Sequence, residues 1–258
     1  MTEQKKEPPK NPVLTWQSRE EYETVQKAIQ DFSFGPQEAS LEKLLELPPI
    51  TILLIGQEGS GKTHFSLTMC EAGPVYFIDT EYKGQYVINK FKKQGRNNIL
   101  YAQAKNYIEL YGTIKGIIKK YPPGTVVIDS GSDYQKYAEQ RVLAEVGIEK
   151  IFPIPVWGLV WQKCDVPIES LNKGGFNVVL TCRMKDEYIG DRSTGKLVPR
   201  IYDKLLYSSL VRVRCYQDKK KSLKLTEFGK PGLSVSEEYN FELTTTLPQL
   251  IKDLEERC

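Results

Sequence analysis

Residues 56–63 of the chain read GQEGSGKT and fit the pattern G-x-x-x-x-G-K-[ST]. An apolar, β-branched run precedes this segment and a helical pattern follows it, so the glycines fall where a strand turns into a helix. Glycines let the backbone curl until successive N–H groups face a phosphate, and the start of a helix adds a positive end. Lys62 would then reach the terminal phosphates, and the Thr63 hydroxyl would hold Mg²⁺. The segment therefore predicts a loop that binds the phosphates of a nucleotide.

Short apolar runs alternate with helical patterns along the middle of the chain. Continuous apolar strands that alternate with helices are typical of a parallel sheet covered on both faces, which predicts an α/β fold of three layers. The predicted strands cover residues 50–55, 75–78, 125–128 and 176–180. Three helices are predicted between them. One follows the glycine-rich turn and ends near residue 72, one covers residues 106–121, and one begins at Asp133, which caps it.

The pattern changes after Arg183. In residues 211–216 apolar side chains alternate with two arginines and a tyrosine, and residues 223–226 repeat the alternation after a turn at residues 217–221. This alternation predicts a half-exposed antiparallel hairpin with a basic outer face. A last amphipathic helix is predicted over residues 247–254.

The first 48 residues differ in composition from the rest. Residues 1–12 are polar and rich in proline, which predicts a disordered tail. Ser18 and Glu21 form a capping-box pattern before one helix, and a second short helix is predicted at residues 40–47. We therefore predict a tail with a small helical extension over residues 1–48 and a P-loop domain over residues 49–258. The helices of the extension are a candidate docking site for a protein partner.

Hydropathy and cysteine usage exclude several classes of protein. The longest uncharged, mostly apolar stretches are residues 47–57 and 152–162, well short of the roughly 18 residues that a membrane helix needs. The chain shows no charged-then-apolar leader, so we predict a cytoplasmic protein without a membrane partner. The five cysteines are widely spaced and form no C-x-x-C pair, which argues against a zinc module or a disulfide framework.

Two carboxylates follow predicted strands. The apolar run of residues 126–128 ends at Asp129, which would hold magnesium through the outer shell of the ion, and the next residue is Ser130 rather than a glutamate. The strand after the P-loop helix ends in the sequence FIDTE, so Glu81 could orient or deprotonate an attacking water. Asp79 is a weaker candidate for the same role. Asp129 and Glu81 could each also be an ordinary carboxylate at the end of a strand.

The motifs FIDTE, VVIDS and VVLTCRMK follow the P-loop in this order, and residues 49–230 resemble a RecA-type core. The chain is most similar in outline to the compact RecA-like ATPases of phages and archaeal elements, which are associated with single-strand annealing and recombination. The resemblance implies that the fourth strand lies between the P-loop strand and the strand ending in Asp129. It also implies that a polar residue at the end of the fourth strand senses the γ-phosphate. Those ATPases have Thr-x-His there, or Gln in RecA itself, whereas this chain has Thr-Cys-Arg ending in Arg183.

The resemblance implies ATP and Mg²⁺ as cofactors. ATP rather than GTP is also favoured because the chain lacks an Asn-Lys-x-Asp motif, the nearest string being NKGG at residues 172–175. The implied catalytic residues are Lys62, Glu81, Asp129 and Arg183, and the implied metal ligands are Thr63 and Asp129. The implied ATP-binding residues are Gly56, Gln57, Glu58, Gly59, Ser60, Gly61, Lys62, Thr63 and His64. Arg183 could instead be a structural cation, and a packing role is expected for His64 rather than a catalytic one.

The resemblance also implies single-stranded DNA as a partner and assembly into a ring or filament. Residues 183–230 hold 13 Lys and Arg against 6 Asp and Glu, which suits a polyanion. Residues 184–204 correspond to a mobile DNA-contacting loop, with its cations at Lys185, Arg192, Lys196, Arg200 and Lys204. The hairpin cations could instead act on the nucleotide of a neighbouring subunit; they are Arg212, Arg214 and Lys224.

Three other functions remain open at this point. A GTPase would require the guanine-reading motif that is missing. A kinase would use residues 183–200 as a lid over a phosphate acceptor. A nucleotide-binding regulator with slow turnover is favoured by the unusual Arg183 and by the acidic N-terminal helices. The Trp157 and Trp161 pair and the cysteines are expected to pack in the core or at an interface.

Overall fold

The structure is a computed structural model that describes residues 48–149, 154–216, 223–230, 233–235, 239–241 and 246–255. The predicted tail and extension helices at residues 1–47, and the predicted turn at residues 217–221, lie outside the described residues. No helix in the described part of the chain is long and apolar enough to cross a membrane.

A parallel sheet of six strands forms the centre of the domain. Their order across the sheet is β8-β1-β5-β4-β2-β3. These strands are β1 (Thr51–Gly56), β2 (Val75–Asp79), β3 (Ile99–Gln103), β4 (Thr125–Asp129), β5 (Asn177–Cys182) and β8 (Val211–Cys215). As predicted, β5 lies between the P-loop strand and the strand that ends in Asp129, so polar residues at the ends of β1, β4 and β5 meet at one edge.

Antiparallel strands extend the sheet beyond β8. Strand β9 pairs with β8, and both β10 and β11 pair with β9. These three strands are β9 (Leu223–Lys230), β10 (Leu233–Val235) and β11 (Tyr239–Phe241). The predicted α/β P-loop core, with a mostly parallel sheet and an antiparallel hairpin, is therefore confirmed. One detail differs: β8 also pairs in parallel with β1, so it is an interior strand whose Val211, Val213 and Cys215 are buried.

Helices cover both faces of the sheet. They are α1 (Lys62–Leu67), α2 (Gly84–Lys93), α3 (Tyr107–Lys120), α4 (Gly131–Val146), α5 (Ile154–Lys173), α6 (Asp203–Ser208) and α7 (Leu247–Glu255). A 3₁₀ turn, Thr68–Glu71, continues α1. Helices α3, α4 and α5 pack on one face and α1, α2 and α7 on the other, so two apolar cores enclose the sheet. Side chains alternate between faces along each strand, and all six residues of β1 are therefore buried.

Several elements differ from the prediction. No element was predicted at α2, β3 or α5. Helix α4 begins one turn earlier than expected, because Ser130 is its cap and the Ser130 hydroxyl accepts from the Asp133 N–H at 3.3 Å. Trp157 is half-buried against the core as expected, whereas Trp161 is 38% exposed.

Residues 184–204 were predicted to form a mobile loop, and the structure corrects their secondary structure. They form a separate antiparallel hairpin of β6 (Met184–Ile189) and β7 (Arg192–Pro199), followed by α6. Cross-strand pairing with a bulge after Asp186 gives these residues a regular conformation. The base of the hairpin is tied to the core, since the Arg200 N–H donates to the Arg183 carbonyl at 2.8 Å.

A proline lies inside α5. Pro167 has no N–H to donate to the Lys163 carbonyl one turn earlier. The Tyr107 hydroxyl donates to that carbonyl at 2.9 Å, and the Tyr134 hydroxyl donates to the Cys164 carbonyl at 2.7 Å. The Tyr107 hydroxyl therefore supplies the Lys163 carbonyl with the donor that Pro167 lacks, and the Tyr134 hydroxyl bonds to the next carbonyl of the helix.

We expect Tyr134→Phe to lower the free energy of unfolding by about 1 kcal/mol, because the buried hydrogen bond to the Cys164 carbonyl is lost. Thermal and urea denaturation measure this change. Tyr111→Phe is the matched control, since no hydrogen bond from the Tyr111 hydroxyl is found in the described part of the chain; it should leave stability nearly unchanged. Equal losses in the two variants would contradict the role of Tyr134.

Candidate functional site

The glycine-rich segment forms a tight loop between β1 and α1. Gly59 and Gly61 have φ angles of 78° and 89°, in the left-handed region that favours glycine. At Gly56 a side chain has no room, because a Cβ atom would lie 2.4 Å from the Cys215 carbonyl oxygen. The loop thus has the curled backbone that turns amide groups toward a bound anion.

Lys62 folds back over this loop. Its ammonium donates to the carbonyl oxygens of Gly56 at 2.9 Å and Gln57 at 2.7 Å. Burial lowers the pKa of the Lys62 ammonium, and nearby groups including Asp129 and Glu81 oppose that effect. The charge is satisfied by backbone carbonyls and lies beside the space where phosphates would bind.

Asp129 accepts hydrogen bonds from two threonines. The Thr63 hydroxyl donates to one carboxylate oxygen at 2.6 Å, and the Thr181 hydroxyl at the end of β5 donates to the other. Burial raises the pKa of the Asp129 carboxyl, and the two hydroxyl hydrogen bonds act in the opposite direction. The carboxylate is thereby fixed against the first turn of α1.

The donor atoms at Thr63 and Asp129 suit magnesium. Magnesium prefers oxygen ligands and commonly takes only one or two from the protein, with phosphates and water completing its shell. Within the described ranges no group of three or more His, Cys, Asp or Glu side chains could hold a metal without such help. A hydroxyl and a carboxylate oxygen 2.6 Å apart beside a phosphate-binding loop therefore fit a magnesium ion that binds together with a nucleotide.

The ends of β2 and β4 are joined to each other. The Thr80 N–H donates to the Asp129 carbonyl at 2.8 Å, and the Ser130 N–H donates to the Thr80 hydroxyl at 2.7 Å. Asp79 and Asp129 are register partners in the sheet. Glu81, two residues beyond β2, is therefore held close to the end of the strand that carries Asp129.

Asp79 organises the loop that presents Glu81. One of its carboxylate oxygens accepts from the N–H groups of Glu81 and Tyr82 at 3.0 and 2.7 Å. The other accepts from the Gly84 N–H at 2.8 Å and the Tyr101 hydroxyl at 3.0 Å. Four donors occupy a carboxylate that is only 1% exposed, so Asp79 is poorly suited to act as a base and instead anchors the loop and the start of α2.

Glu81 and Arg183 form an ion pair. The Arg183 guanidinium contacts the same Glu81 oxygen through Nε at 2.9 Å and a terminal nitrogen at 2.7 Å. That terminal nitrogen is also 2.9 Å from a carboxylate oxygen of Asp133. Burial by itself lowers the pKa of Arg183, but Glu81 and Asp133 outweigh it and the pKa is raised, so the guanidinium stays charged.

These side chains line one cleft of about 300 Å³. All four of the predicted catalytic residues contribute to its walls. The lining residues are Glu58, Gly59, Lys62, Thr63, Asp79, Glu81, Lys83, Gly84, Val87, Asp129 and Arg183. The other loop residues predicted to bind ATP do not line the cleft; they are Gly56, Gln57, Ser60 and Gly61. The imidazole of His64 is exposed and packs on Phe91 with ring centroids 4.9 Å apart, outside the lining.

Three lining residues were not predicted from the sequence. Lys83, Gly84 and Val87 come from the loop before α2 and from its first turn. The Lys83 ammonium and a Glu58 carboxylate oxygen are 2.7 Å apart, and both side chains are exposed. The position of these residues just after FIDTE was the only signal available, since no motif covers them.

The residues predicted to contact DNA are spread over three elements. Lys185, Arg192 and Lys196 are exposed on the β6–β7 hairpin, and Arg200 is exposed just after it. Lys204 on α6 forms an ion pair with Asp165. The hairpin itself, Met184–Pro199, holds three basic and three acidic residues, so its net formal charge is zero.

The alternative hairpin cations occupy different surroundings. Arg212 is half-buried on β8, while Arg214 donates to the Leu197 carbonyl at 3.1 Å and so braces β7. The side chain of Lys224 lies outside the described part of the structure. Arg214 thus has a clear structural contact within its own chain.

Comparison with known proteins agrees with this architecture. A search of curated proteins finds no match to the sequence. A family model described as an AAA domain matches residues 48–227, which include the P-loop and every residue that lines the cleft. Because the match covers well over half of the chain, the chain belongs to the AAA domain family of P-loop ATPases.

Proposed function

We propose that the chain is a RecA-like ATP hydrolase that acts on single-stranded DNA in recombination or strand annealing. One observation carries the hydrolase part of the proposal. Lys62 and Thr63 from the P-loop share a single cleft with Glu81, Asp129 and Arg183. The cleft thus combines a phosphate-binding loop, a pair of oxygen ligands suited to magnesium, and a carboxylate that can act on water.

The proposed reaction is in-line attack of water on the γ-phosphorus. Glu81 accepts a hydrogen bond from the water, orients it and takes its proton as the new P–O bond forms and the bond to the β,γ-bridging oxygen breaks. Lys62 exchanges its two carbonyl partners for phosphate oxygens, and the loop amides stabilise the same charge. A magnesium ion held by Thr63 and Asp129 would supply further positive charge at the phosphates.

Arg183 has two partners that a γ-phosphate could replace. Its guanidinium lines the cleft while it pairs with Glu81 and Asp133. A phosphate is a strong bidentate acceptor for guanidinium groups, so we propose that Arg183 contacts the γ-phosphate when nucleotide binds. This assigns to Arg183 the sensing role that a different residue type has in the proteins that the chain resembles.

The DNA partner and a ring or filament assembly are part of the proposal. The excess of basic residues after Arg183 and the likeness to annealing ATPases support them. A second candidate function is a nucleotide-binding regulator with slow turnover. It is favoured by the Arg183–Glu81 ion pair, which occupies the proposed base.

Steady-state ATP hydrolysis, with and without single-stranded DNA at two salt concentrations, tests the proposal. We expect turnover that DNA stimulates, with less stimulation at high salt, and no turnover in Lys62→Ala. Turnover that does not respond to DNA would exclude the DNA partner and favour a kinase or a regulator. Absence of turnover in the wild type, with nucleotide binding retained, would overturn the hydrolase and favour the regulator.

A further inference from the structure

The segment that follows Glu81 is basic and contains no acid. Residues 82–108 include no Asp or Glu and hold six Lys and Arg. Two of these cations are already paired: Lys83 with Glu58 and Arg96 with Glu71, each at 2.7 Å. Among the described residues no carboxylate lies within ion-pair distance of Lys90, Lys92 or Lys93 on α2. Within the described part of the chain, helix α2 therefore carries positive charge that no carboxylate pairs with.

The cations on α2 share a face with an exposed aromatic ring. Positions 86, 89, 90 and 93 lie within one stripe of an α-helix because 3.6 residues make a turn, and the opposite side buries Gly84, Ile88 and Phe91. Tyr86 is 73% exposed at the centre of this stripe, and the Lys90 ammonium lies 5.8 Å from its ring centroid. We define the α2 face as Tyr86, Asn89, Lys90 and Lys93.

An exposed ring beside lysines that pair with no carboxylate among the described residues matches the chemistry of single-stranded nucleic acid. Unpaired bases stack on aromatic side chains, while the adjacent phosphates bind lysines. The β6–β7 hairpin also exposes a tyrosine, Tyr188, but its basic and acidic residues balance. An anionic membrane is a poorer partner, because helices that bind membranes bury an apolar face, and the exposed residues of the α2 face are polar apart from one ring.

We propose that the α2 face binds single-stranded nucleic acid by stacking a base on Tyr86 and contacting phosphates through Lys90 and Lys93. This inference rests on the proposed function, in which such a strand is the partner, and it assigns that strand to a surface other than the predicted hairpin. The location also provides a connection to the cleft. Gly84, the first residue of α2, donates to the Asp79 carboxylate that anchors the Glu81 loop.

The experiment measures binding of a fluorescein-labelled oligothymidine to the full chain by fluorescence anisotropy over a range of salt. The double variant Lys90→Gln/Lys93→Gln should lose about 20-fold in affinity near 0.1 M salt, because each lost phosphate contact reduces the salt slope by about 0.7. Arg192→Gln/Lys196→Gln removes the same charge from the hairpin and should change affinity by less than about threefold. Thermal denaturation controls for folding.

Two tyrosine variants separate stacking from charge. Tyr86→Ala should lose about tenfold in affinity, and Tyr86→Phe should bind like the wild type. If Tyr86→Ala binds normally and polyphosphate competes as well as the oligonucleotide, the face is a general anion surface and the inference is wrong. The inference is also wrong if the α2 face binds an acidic protein and does not bind the oligonucleotide.

Parallel assays of ATP turnover distinguish this inference from the proposed function. The double variant on α2 should keep basal turnover and lose stimulation by DNA. A larger loss of binding in the hairpin variant overturns the inference and leaves the proposed function intact. Binding that depends on α2 without any ATP turnover would support the inference and overturn the hydrolase. A wild type that does not bind the oligonucleotide overturns both the inference and the DNA partner.

Discussion

Glu81→Gln is expected to reduce ATP turnover by about a thousandfold while nucleotide binding is retained. General-base catalysis contributes roughly 10²–10⁴ in rate, and a glutamine cannot accept the proton of the attacking water. The amide still fits the loop, because Asp79 anchors that loop through backbone N–H groups rather than through the Glu81 side chain. Single-turnover hydrolysis and the affinity for a fluorescent ATP analogue measure the two effects separately.

Glu58→Gln provides the matched control for that variant. Glu58 is another carboxylate of the cleft, but it is exposed and pairs with Lys83 at the entrance. Because an exposed ion pair contributes little, we expect turnover within about twofold of the wild type. A similar loss in both variants would indicate that the charge of the cleft matters rather than a base at Glu81. Normal turnover in Glu81→Gln would exclude Glu81 as the base.

Asp129→Asn is expected to abolish most magnesium-dependent hydrolysis and to raise the melting temperature of the nucleotide-free protein at neutral pH. The carboxyl pKa is raised above its ordinary value of 3.8 by burial, so the folded state binds a proton more readily than the unfolded state. The unfolding free energy from this group therefore falls as the pH rises from about 3.8 through the raised pKa. An uncharged asparagine removes that cost, and the threonine hydroxyl that faces its NH₂ group can rotate to accept from it, which a backbone N–H cannot do.

Asp79→Asn should have the opposite effect on stability, which makes it an informative comparison. The two aspartates are register partners on adjacent strands, but Asp79 accepts four hydrogen bonds, three of them from backbone N–H groups. Replacing one carboxylate oxygen with an NH₂ group leaves the N–H groups that bonded to it without an acceptor, which lowers the free energy of unfolding by about 1–3 kcal/mol. Melting curves of both variants between pH 4 and 8 measure the contrast. A lower melting temperature for Asp129→Asn at pH 7 would contradict the electrostatic argument.

Four of the strands that the sequence predicted correctly share one property. β1, β2, β4 and β5 are buried on both faces and are therefore continuous apolar runs, which are easy to recognise. β3 also contains a continuous apolar run, at residues 99–102, so it was predictable from the same signal and was missed; it lies at the edge of the sheet, with Leu100 40% exposed. The β6–β7 hairpin is exposed on both sides, and its mixed polar residues resembled a loop.

The candidate site was predictable where motifs fix the chemistry. The P-loop and the carboxylates at strand ends could be identified because each follows an apolar strand. The hydrogen bonds of Asp79, the ion pair of Arg183 with Glu81 and the entry of Lys83 into the cleft depend on contacts over many residues. The excess of basic residues in 183–230 indicated a polyanion partner for that segment, and no such contact was predicted for the acid-free segment around α2.

The side chains that line the cleft set which form of a nucleotide the protein can accept. Four carboxylates and three cations face this space, so the walls carry a formal charge of −1. A triphosphate without a metal ion therefore meets repulsion that the backbone amides offset only in part, whereas a triphosphate whose charge is reduced by a divalent cation meets less of it. The walls thus discriminate by ligand charge, and free nucleotide in excess over divalent cation would be a weak competitor rather than a substrate.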